Sequence, residues 1–308
     1  MVKNAPYRGL FNQLKYIMAQ QAPHMSTRVL ARIIRGPRNA YFRWSIQRAL
    51  SSIDHVLASY PKSGRTWLRY ILSYYFVLAF GLDCSVDLHQ MFSVLPNLDW
   101  DADQGLPAFV SGPAIGFVPL LAVTHERPGL FRHHDVPAIY MTRDVRDVLV
   151  SAYFHATRHK CDFQGDIDAF VRDRNRGLHQ VAKHYNSWAS YLSKVPHRVI
   201  SYESLSSDPQ TTVSSAIEFL NLEPSTPLIT QAIAAAEIGK MRSMEVEAGL
   251  PGHRYDRSDP DALRVRRGLV GGYGDYLSVR TCLWIHEEWS KAITPEARDL
   301  LGASLEAR

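Results

Sequence analysis

The sequence has few cysteines and no long apolar run. Its three cysteines, Cys84, Cys161 and Cys282, are widely spaced and form no C-x-x-C pair, so neither a disulfide framework nor a cysteine-ligated zinc site is expected. The longest apolar stretch, residues 71–82, is far shorter than the roughly 20 residues of a membrane-spanning helix. The N-terminus also lacks the apolar segment of a signal peptide. These absences favour a cytoplasmic globular protein.

Acidic residues are missing from the first part of the chain. Residues 1–53 contain nine lysines and arginines and no aspartate or glutamate, whereas the whole chain of 308 residues has a net charge of +5. We therefore predict a basic N-terminal extension over 1–53 and one domain over 54–308. Apolar residues at helical spacing between Tyr7 and Met18 would suit peripheral contact with an anionic membrane. Packing of the extension on the acidic remainder of the chain, or organellar targeting, is the alternative.

One strand–turn–helix segment carries the strongest functional signal. Residues 60–67, YPKSGRTW, lie between the apolar run 56–58 and the helix-like segment 68–80. Unpaired N–H groups and the positive end of the helix dipole converge at such a turn, which predicts a phosphate-binding site. It is not the usual G-x-x-x-x-G-K-[ST] loop, because Lys62 precedes Gly64, the only glycine of the segment.

Three segments resemble, in order, motifs of the sulfotransferases that use 3′-phosphoadenosine 5′-phosphosulfate (PAPS). Residues 60–67 resemble the family's 5′-phosphosulfate-binding loop. In residues 138–155, AIYMTRDVRDVLVSAYFH, an apolar strand ends at Arg143 and Ser151 follows two turns into a helix, as in the family's 3′-phosphate site. Residues 264–276, RVRRGLVGGYGDY, resemble the R-K-G-x-x-G-D-W loop that closes over the nucleotide, with an insertion after the first glycine.

The resemblance implies transfer of a sulfuryl group from PAPS to a hydroxyl of a small-molecule or lipid-like acceptor, without a metal. Lys62 would stabilise the leaving oxygen, and His125 would be the base. The segment around His125 resembles K-[TS]-H-x-P, although Val123 replaces the lysine that touches the sulfonate in many relatives. The residues expected to bind the nucleotide are Lys62, Ser63, Gly64, Arg65, Thr66, Trp67, Arg143, Ser151, Tyr202, Arg266, Arg267 and Gly268.

Apolar runs alternate with helical patterns through the rest of the chain. We predict strands near 55–60, 119–125, 137–143 and 197–202, and helices near 66–80, 144–158, 176–194, 209–221 and 226–238. This order predicts an α/β fold with a three-layer arrangement, a parallel sheet covered by helices on both faces. By resemblance it is the P-loop NTPase-like sulfotransferase fold. Residues 83–113 are expected to form a long loop beside the acceptor.

The same residues bear on other functions and on a metal site. A P-loop-like kinase would need a magnesium-holding hydroxyl beside the lysine, which is displaced here. A basic module that binds membrane or nucleic acid through 1–53 is possible on composition, but the core motifs do not need it, and nucleic acid is not an expected partner. His155 and His159 lack the carboxylate of an H-E-x-x-H site, so no metal is expected there. The sequence leaves the oligomeric state open.

Aromatic residues hint at an apolar acceptor pocket for a phenol, a lipid alcohol or a polyketide. Packing of helices in the core explains many of them equally well. These residues are Tyr74, Tyr75, Phe76, Phe92, Trp100, Phe109 and Phe117.

Overall fold

A four-stranded parallel sheet organises the protein in the computed structural model, which describes residues 50–131 and 133–302. The strands are β1 (His55–Ser59), β2 (Leu121–Thr124), β3 (Ala138–Thr142) and β4 (His197–Ser201), in the order β2-β1-β3-β4. Every residue of the two central strands, β1 and β3, is buried, as expected for parallel strands with both faces covered. All four predicted strands are confirmed.

Helices surround the sheet and account for most of the remaining chain. The five predicted helices are present with ends shifted by a few residues. The helices are α1 (Arg65–Phe80), α2 (Met91–Val94), α3 (Leu106–Val110), α4 (Val145–Phe154), α5 (Ile167–Arg172), α6 (Leu178–Leu192), α7 (Tyr202–Ser207), α8 (Pro209–Phe219), α9 (Thr226–Ala235), α10 (Ile238–Ala248), α11 (Val279–Ala292) and α12 (Pro295–Leu301). Among the described residues, no helix is long and apolar enough to cross a membrane.

Two sequence-based predictions need correction. The segment 83–113, predicted as a loop, contains the short helices α2 and α3. The helix predicted to run to residue 158 is α-helical only to Phe154 and continues as a π-helical turn, His155–His159, closed by a bond of 2.9 Å from Lys160 N to His155 O. The predicted extension lies outside the described residues up to position 49, so it stays a prediction.

Side chains that point alternately to the two faces of the sheet form two separate hydrophobic cores. Val56 of β1 packs into the cluster that contains Trp188 of α6, while Leu57 packs into the cluster that contains Ile71 and Phe76 of α1. Successive strand residues point to opposite faces of the sheet, so each face is covered by its own helices. The predicted three-layer arrangement is confirmed.

A buried arginine ties the segment before α3 to α1. Arg69 is 2% exposed. Its Nε donates to Leu95 O at 2.7 Å and its Nη1 to Asn97 Oδ1 at 2.9 Å. Just beyond, Leu98 N donates to the carbonyl of Val123 in β2 at 2.8 Å. Because these bonds satisfy backbone groups away from water, they fix this segment along the edge of the sheet.

Arg69→Met is expected to lower the free energy of unfolding by about 2–4 kcal/mol, since a buried carbonyl and a side-chain amide would lose their donors. Urea denaturation followed by circular dichroism measures this. Arg198→Met, at an exposed position of β4, is the control and should stay within about 0.5 kcal/mol of the parent. Equal stability of the two variants would contradict the role of Arg69.

Candidate active site

One cavity of about 390 Å³ brings the three motifs together. Lys62, His125 and Arg143 follow the carboxyl ends of β1, β2 and β3 respectively, and all three line this cavity. Ligand sites of open parallel sheets lie at this edge. Twelve of the thirteen residues singled out from the sequence line the cavity, and the exception, Ser63, is fully buried within the loop itself. Their individual roles stay predictions.

The loop after β1 adopts a conformation that needs glycine. Gly64 caps α1 with φ of 91°, in the left-handed region. A Cβ at this position would lie 2.4 Å from the ring of Tyr202, so a side chain would both strain the backbone and collide. The N–H groups of Arg65 and Thr66, in the first turn of α1, have no intrahelical acceptor. The loop therefore presents backbone donors at a helix N-terminus, which suits a phosphate.

Lys62 also has a positive φ, 74°, a region that non-glycine residues seldom occupy. Desolvation in the cavity, and next the positive charge of Arg264, lower the pKa of Lys62 to about 7. An anion bound nearby would favour the charged ammonium and raise that pKa again. A bound anion would therefore increase the cationic fraction of Lys62 at neutral pH.

The ring of His125 is held in one tautomer. Its Nδ1 lies 2.9 Å from the carbonyl oxygen of Ser59, and because a carbonyl only accepts, Nδ1 carries the proton. The lone pair of Nε2 is then free to accept another. Desolvation, and next the guanidinium of Arg65, hold the pKa of His125 well below its usual value of 6.5. The imidazole is therefore neutral at physiological pH.

A second histidine fixes the backbone of the first. His184 of α6 donates from Nε2 to the carbonyl of His125 at 3.1 Å, so its Nδ1 accepts from Tyr140 OH at 2.9 Å. Burial lowers the pKa of His184 to about 4, which keeps it neutral. No local pattern in the sequence indicated this contact, because α6 lies almost 60 residues beyond His125.

Arg143 connects the three motifs. Its Nη1 donates to Lys62 O at 3.3 Å and its Nη2 to Leu269 O at 2.9 Å, and its guanidinium carbon lies 4.1 Å from the centre of the Tyr202 ring. Ser151 lines the same cavity from the second turn of α4. A cation and a hydroxyl therefore line the same cavity, and their binding of a 3′-phosphate stays a prediction.

A buried carboxylate anchors the glycine-rich segment. Asp147 of α4 accepts from Gly271 N and Tyr273 N, both at 2.8 Å, and lies 3.6 Å from Arg143 Nη2. Burial raises the pKa of Asp147. Sequence reasoning missed this residue, because its backbone partners Gly271 and Tyr273 lie more than 120 residues further along the chain.

The two predicted arginines of the same segment already have partners. Arg266 Nη1 donates to Tyr276 OH at 2.9 Å and to Asp261 at 3.3 Å, whereas Arg267 Nη1 pairs with Asp275 at 2.7 Å. Both line the cavity together with Gly268. Phosphate binding by these arginines would therefore compete with contacts inside the segment.

Two aromatic side chains, Trp67 and Tyr202, line the cavity and contact each other. Trp67 and Tyr202 have ring centroids 5.5 Å apart, and Trp67 Nε1 donates to Ala236 O at 2.9 Å. Ile238 and Met241 line the cavity beside them. These two apolar side chains therefore share the cavity with Trp67 and Tyr202, two of the residues expected to bind the nucleotide.

Hydrogen bonds hold the ring of His159 in the π-helical turn. His159 Nδ1 donates to Ala262 O at 2.9 Å, and its Nε2 accepts from His253 Nδ1 at 3.1 Å. Cys161 is exposed. Within residues 50–131 and 133–302, no group of three or more His, Cys, Asp or Glu side chains is placed to hold a metal ion.

Residues 52–291 match the family model described as the sulfotransferase domain. The chain is 23% identical to cytosolic sulfotransferase 10 of Arabidopsis thaliana, over 73% of each protein. It is 27% identical to the 3-alpha-hydroxysteroid sulfotransferase of Cavia porcellus, over 73% of this chain and 78% of that protein. A crystal structure of mouse sulfotransferase SULT7A1 complexed with PAP is similar with a TM-score of 0.57 and 17% identity, over 84% of this chain and 94% of that chain. This likeness confirms the predicted sulfotransferase fold.

The positions of Arg143 and Ser151 predict recognition of a 3′-phosphate. The protein should bind 3′,5′-adenosine bisphosphate about tenfold to a hundredfold more tightly than AMP, as charge-assisted hydrogen bonds contribute about 1.5–3 kcal/mol each. Ser151→Ala should reduce this preference, while Ser190→Ala at an exposed position of α6 should not. Calorimetry measures both affinities, and equal binding of the two nucleotides would contradict the site.

Proposed function

The chain belongs to the sulfotransferase domain family, and we propose that it transfers the sulfuryl group of PAPS to a hydroxyl of a small-molecule acceptor with His125 as base and Lys62 at the leaving oxygen. The enzyme class, PAPS-dependent sulfotransferase, follows from family membership. The observation that carries the catalytic roles is that a neutral histidine with a free Nε2 and a desolvated lysine line one cavity with the phosphate motifs.

The proposed reaction is a direct in-line displacement. The acceptor hydroxyl gives its proton to Nε2 of His125 while its oxygen forms a bond to sulfur. The bond between sulfur and the bridging oxygen of PAPS breaks, and Lys62 stabilises the charge that develops on that oxygen. Val123, at the position where many relatives have a lysine, is 1% exposed and packed in the core. This position therefore supplies no positive charge to the sulfuryl group, and the other cations of the cavity must stabilise its charge.

The nature of the acceptor group rests on relatives. The hydroxysteroid sulfotransferase acts, by its name, on a hydroxyl-bearing small molecule. A cytoplasmic location is proposed by analogy with the relative named cytosolic. A peripheral membrane contact through residues 1–53 stays a prediction from the sequence.

Incubation of the protein with sulfur-labelled PAPS and a library of hydroxyl compounds tests the reaction. Mass spectrometry should detect a sulfate ester and an equal amount of 3′,5′-adenosine bisphosphate. Products formed from ATP and magnesium but not from PAPS would contradict the proposal and favour a kinase.

Lys62→Ala is expected to lower kcat by about a hundredfold or more, because the ammonium acts mainly on charge that appears in the transition state. The dissociation constant of 3′,5′-adenosine bisphosphate should change by a smaller factor. Steady-state kinetics and calorimetry separate these effects. Lys183→Ala, at an exposed position of α6, is the control, and full activity of the Lys62 variant would remove the residue from the mechanism.

His125→Ala is expected to lower kcat by about 10²–10⁴, the usual range for loss of a general base. The loss should be smaller for a phenol acidic enough to be ionised already. Because burial holds the pKa of His125 well below 6.5, protonation of this residue should not lower kcat/KM as the pH is decreased through 6.5, and the fall should come only at a pH well below that value. His179→Ala, at an exposed position of α6, is the control and should keep the parent kcat. An equal loss of kcat in the His179 and His125 variants would contradict the role of His125 as the base, and so would a loss in His125→Ala that is the same for every phenol.

A further inference from the structure

A second group of basic side chains lines the cavity and has no part in the proposed chemistry. We call His155, Lys160, His253 and Arg264 the outer basic cluster. None belongs to the residues expected to bind the nucleotide. His155 and Lys160 lie at the two ends of the π-helical turn, a deviation from α geometry that is frequent at functional sites.

A chain of hydrogen bonds with fixed direction holds Arg264. Because the carbonyl of Ala262 can only accept, His159 must donate to it from Nδ1 and accept at Nε2 from His253. His253 therefore uses its Nε2 to accept from Arg264 Nη2, at 2.7 Å. The guanidinium is thus oriented by neutral rings, which do not cancel its charge.

The carboxylate of Glu245 binds backbone groups rather than the guanidinium of Arg264. Glu245 is fully buried and accepts from the backbone N–H groups of Arg264 and Val265, at 2.7 and 2.8 Å, and from Tyr255 OH at 2.7 Å. These bonds hold the backbone at Arg264 in place while the side chain remains in the cavity. Glu245 itself does not line the cavity.

Two buried polar atoms of the outer basic cluster have no partner. They are Arg264 Nε, which is a donor, and His155 Nδ1, and neither has a hydrogen-bond partner within the described residues. Unsatisfied buried polar atoms of this kind are uncommon and call for a ligand or water. Lys160 is exposed, and its ammonium has no ion pair in the described part of the chain.

Two cations of the cavity lie outside the set expected to bind the nucleotide. Seven cationic side chains line the cavity: Lys62, Arg65, Arg143, Lys160, Arg264, Arg266 and Arg267. A carboxylate lies within 4 Å of three of them, Asp147 beside Arg143, Asp261 beside Arg266 and Asp275 beside Arg267. Lys160 and Arg264 have no such ion pair in the described part of the chain, so an anionic group on the acceptor would give both a partner.

The aromatic residues that favoured an apolar pocket do not line this cavity. They are packed in the core, half-buried or exposed at other places on the surface. Of the set, Tyr75, Phe76, Phe92 and Phe109 are buried, Tyr74 is half-buried, and Trp100 and Phe117 are exposed. The polar side chains of Asn97 and Gln104 line the cavity together with His125 and the outer basic cluster.

We propose that the acceptor carries a carboxylate or a phosphate in addition to its hydroxyl, and that Arg264 and Lys160 bind this group. The inference rests on the proposed sulfuryl transfer and names the class of its acceptor. Arg264 gives charge-assisted hydrogen bonds of fixed orientation, and Lys160 adds a flexible ammonium. The acid group anchors the molecule while its hydroxyl lies at His125.

Matched pairs of acceptors test the proposal. One pair is 3-(4-hydroxyphenyl)propionate and its methyl ester, and the other is 2-(4-hydroxyphenyl)ethyl phosphate and the corresponding neutral alcohol. In at least one pair the anionic member should have a kcat/KM about tenfold or more above the neutral member. The pair that shows the larger ratio distinguishes a carboxylate from a phosphate.

Variants locate the origin of the preference. Arg264→Met and Lys160→Met should each reduce the ratio within the responsive pair to about threefold or less, with the affinity for 3′,5′-adenosine bisphosphate nearly unchanged. Arg254→Met, exposed and outside the cavity, should keep the full ratio. Lys160 is exposed, so its variant decides the question if Arg264→Met does not fold.

Equal kcat/KM within both pairs, including no conversion of any member, overturns the proposal, as does a preference that survives in Lys160→Met and in folded Arg264→Met. A loss of bisphosphate affinity as large as the loss of the ratio also overturns it, because Arg264 would then bind the nucleotide.

PAPS-dependent sulfation of the anionic and the neutral phenols at equal rates would leave the proposed function intact. Absence of PAPS turnover with every acceptor of the library, together with no bisphosphate binding, would instead refute the function itself.

Discussion

Mutual repulsion among cations in a partly closed cavity is the constraint that the rest of the site must satisfy. Burial and neighbouring positive charge lower the pKa of Lys62 to about 7 and that of Arg65 to about 9. Such side chains would turn away from each other unless they were held. The fold orients Arg143 through two carbonyl oxygens and Arg264 through a neutral histidine, acceptors that do not remove the charge of a guanidinium. Carboxylates offset part of the positive charge, since Asp147 lies beside Arg143, Asp261 beside Arg266 and Asp275 beside Arg267.

The parallel sheet solves the problem of bringing distant segments together. The lysine loop, His125 and Arg143 are separated by tens of residues in the chain, yet each directly follows a strand of one sheet. Because the strands run parallel and in register, their carboxyl ends meet at a single edge. Asp147 then brings in the C-terminal glycine-rich segment by two backbone hydrogen bonds. Distant parts of the sequence thereby become one surface.

The sequence predicted those parts of the site whose signal is local. Gly64 and Lys62 belong to a contiguous turn, and Arg143 and Ser151 share one strand–helix unit, so each could be found without knowing the fold. His184, Arg69 and Glu245 could not, because each acts on a segment far away in the chain. Burial of a charged side chain is decided by tertiary packing, which a single sequence does not reveal.

Aromatic residues illustrate the same limit. Phe76 in a core and a phenylalanine in a pocket have the same local pattern, since both point to the apolar face of a helix. The two short helices within residues 83–113 were not predicted for a different reason. Helices α2 and α3 are only four and five residues long, too short to show a helical spacing of apolar residues. In contrast, the strands were found because continuous apolar runs bounded by turns admit few alternatives.

The π-helical turn after α4 divides one continuous helical segment into two parts, each of which contributes side chains to the cavity. The α-helical part carries Asp147 and Ser151, whereas the π-helical part carries His155 and is followed directly by Lys160, and all four side chains line one cavity. A π-turn amounts to a local one-residue insertion in the helix register. It changes the direction of the side chains that follow Phe154 and leaves the preceding α-helical residues in place. Under the proposed roles, the acceptor preference could therefore change in evolution while the nucleotide site is kept.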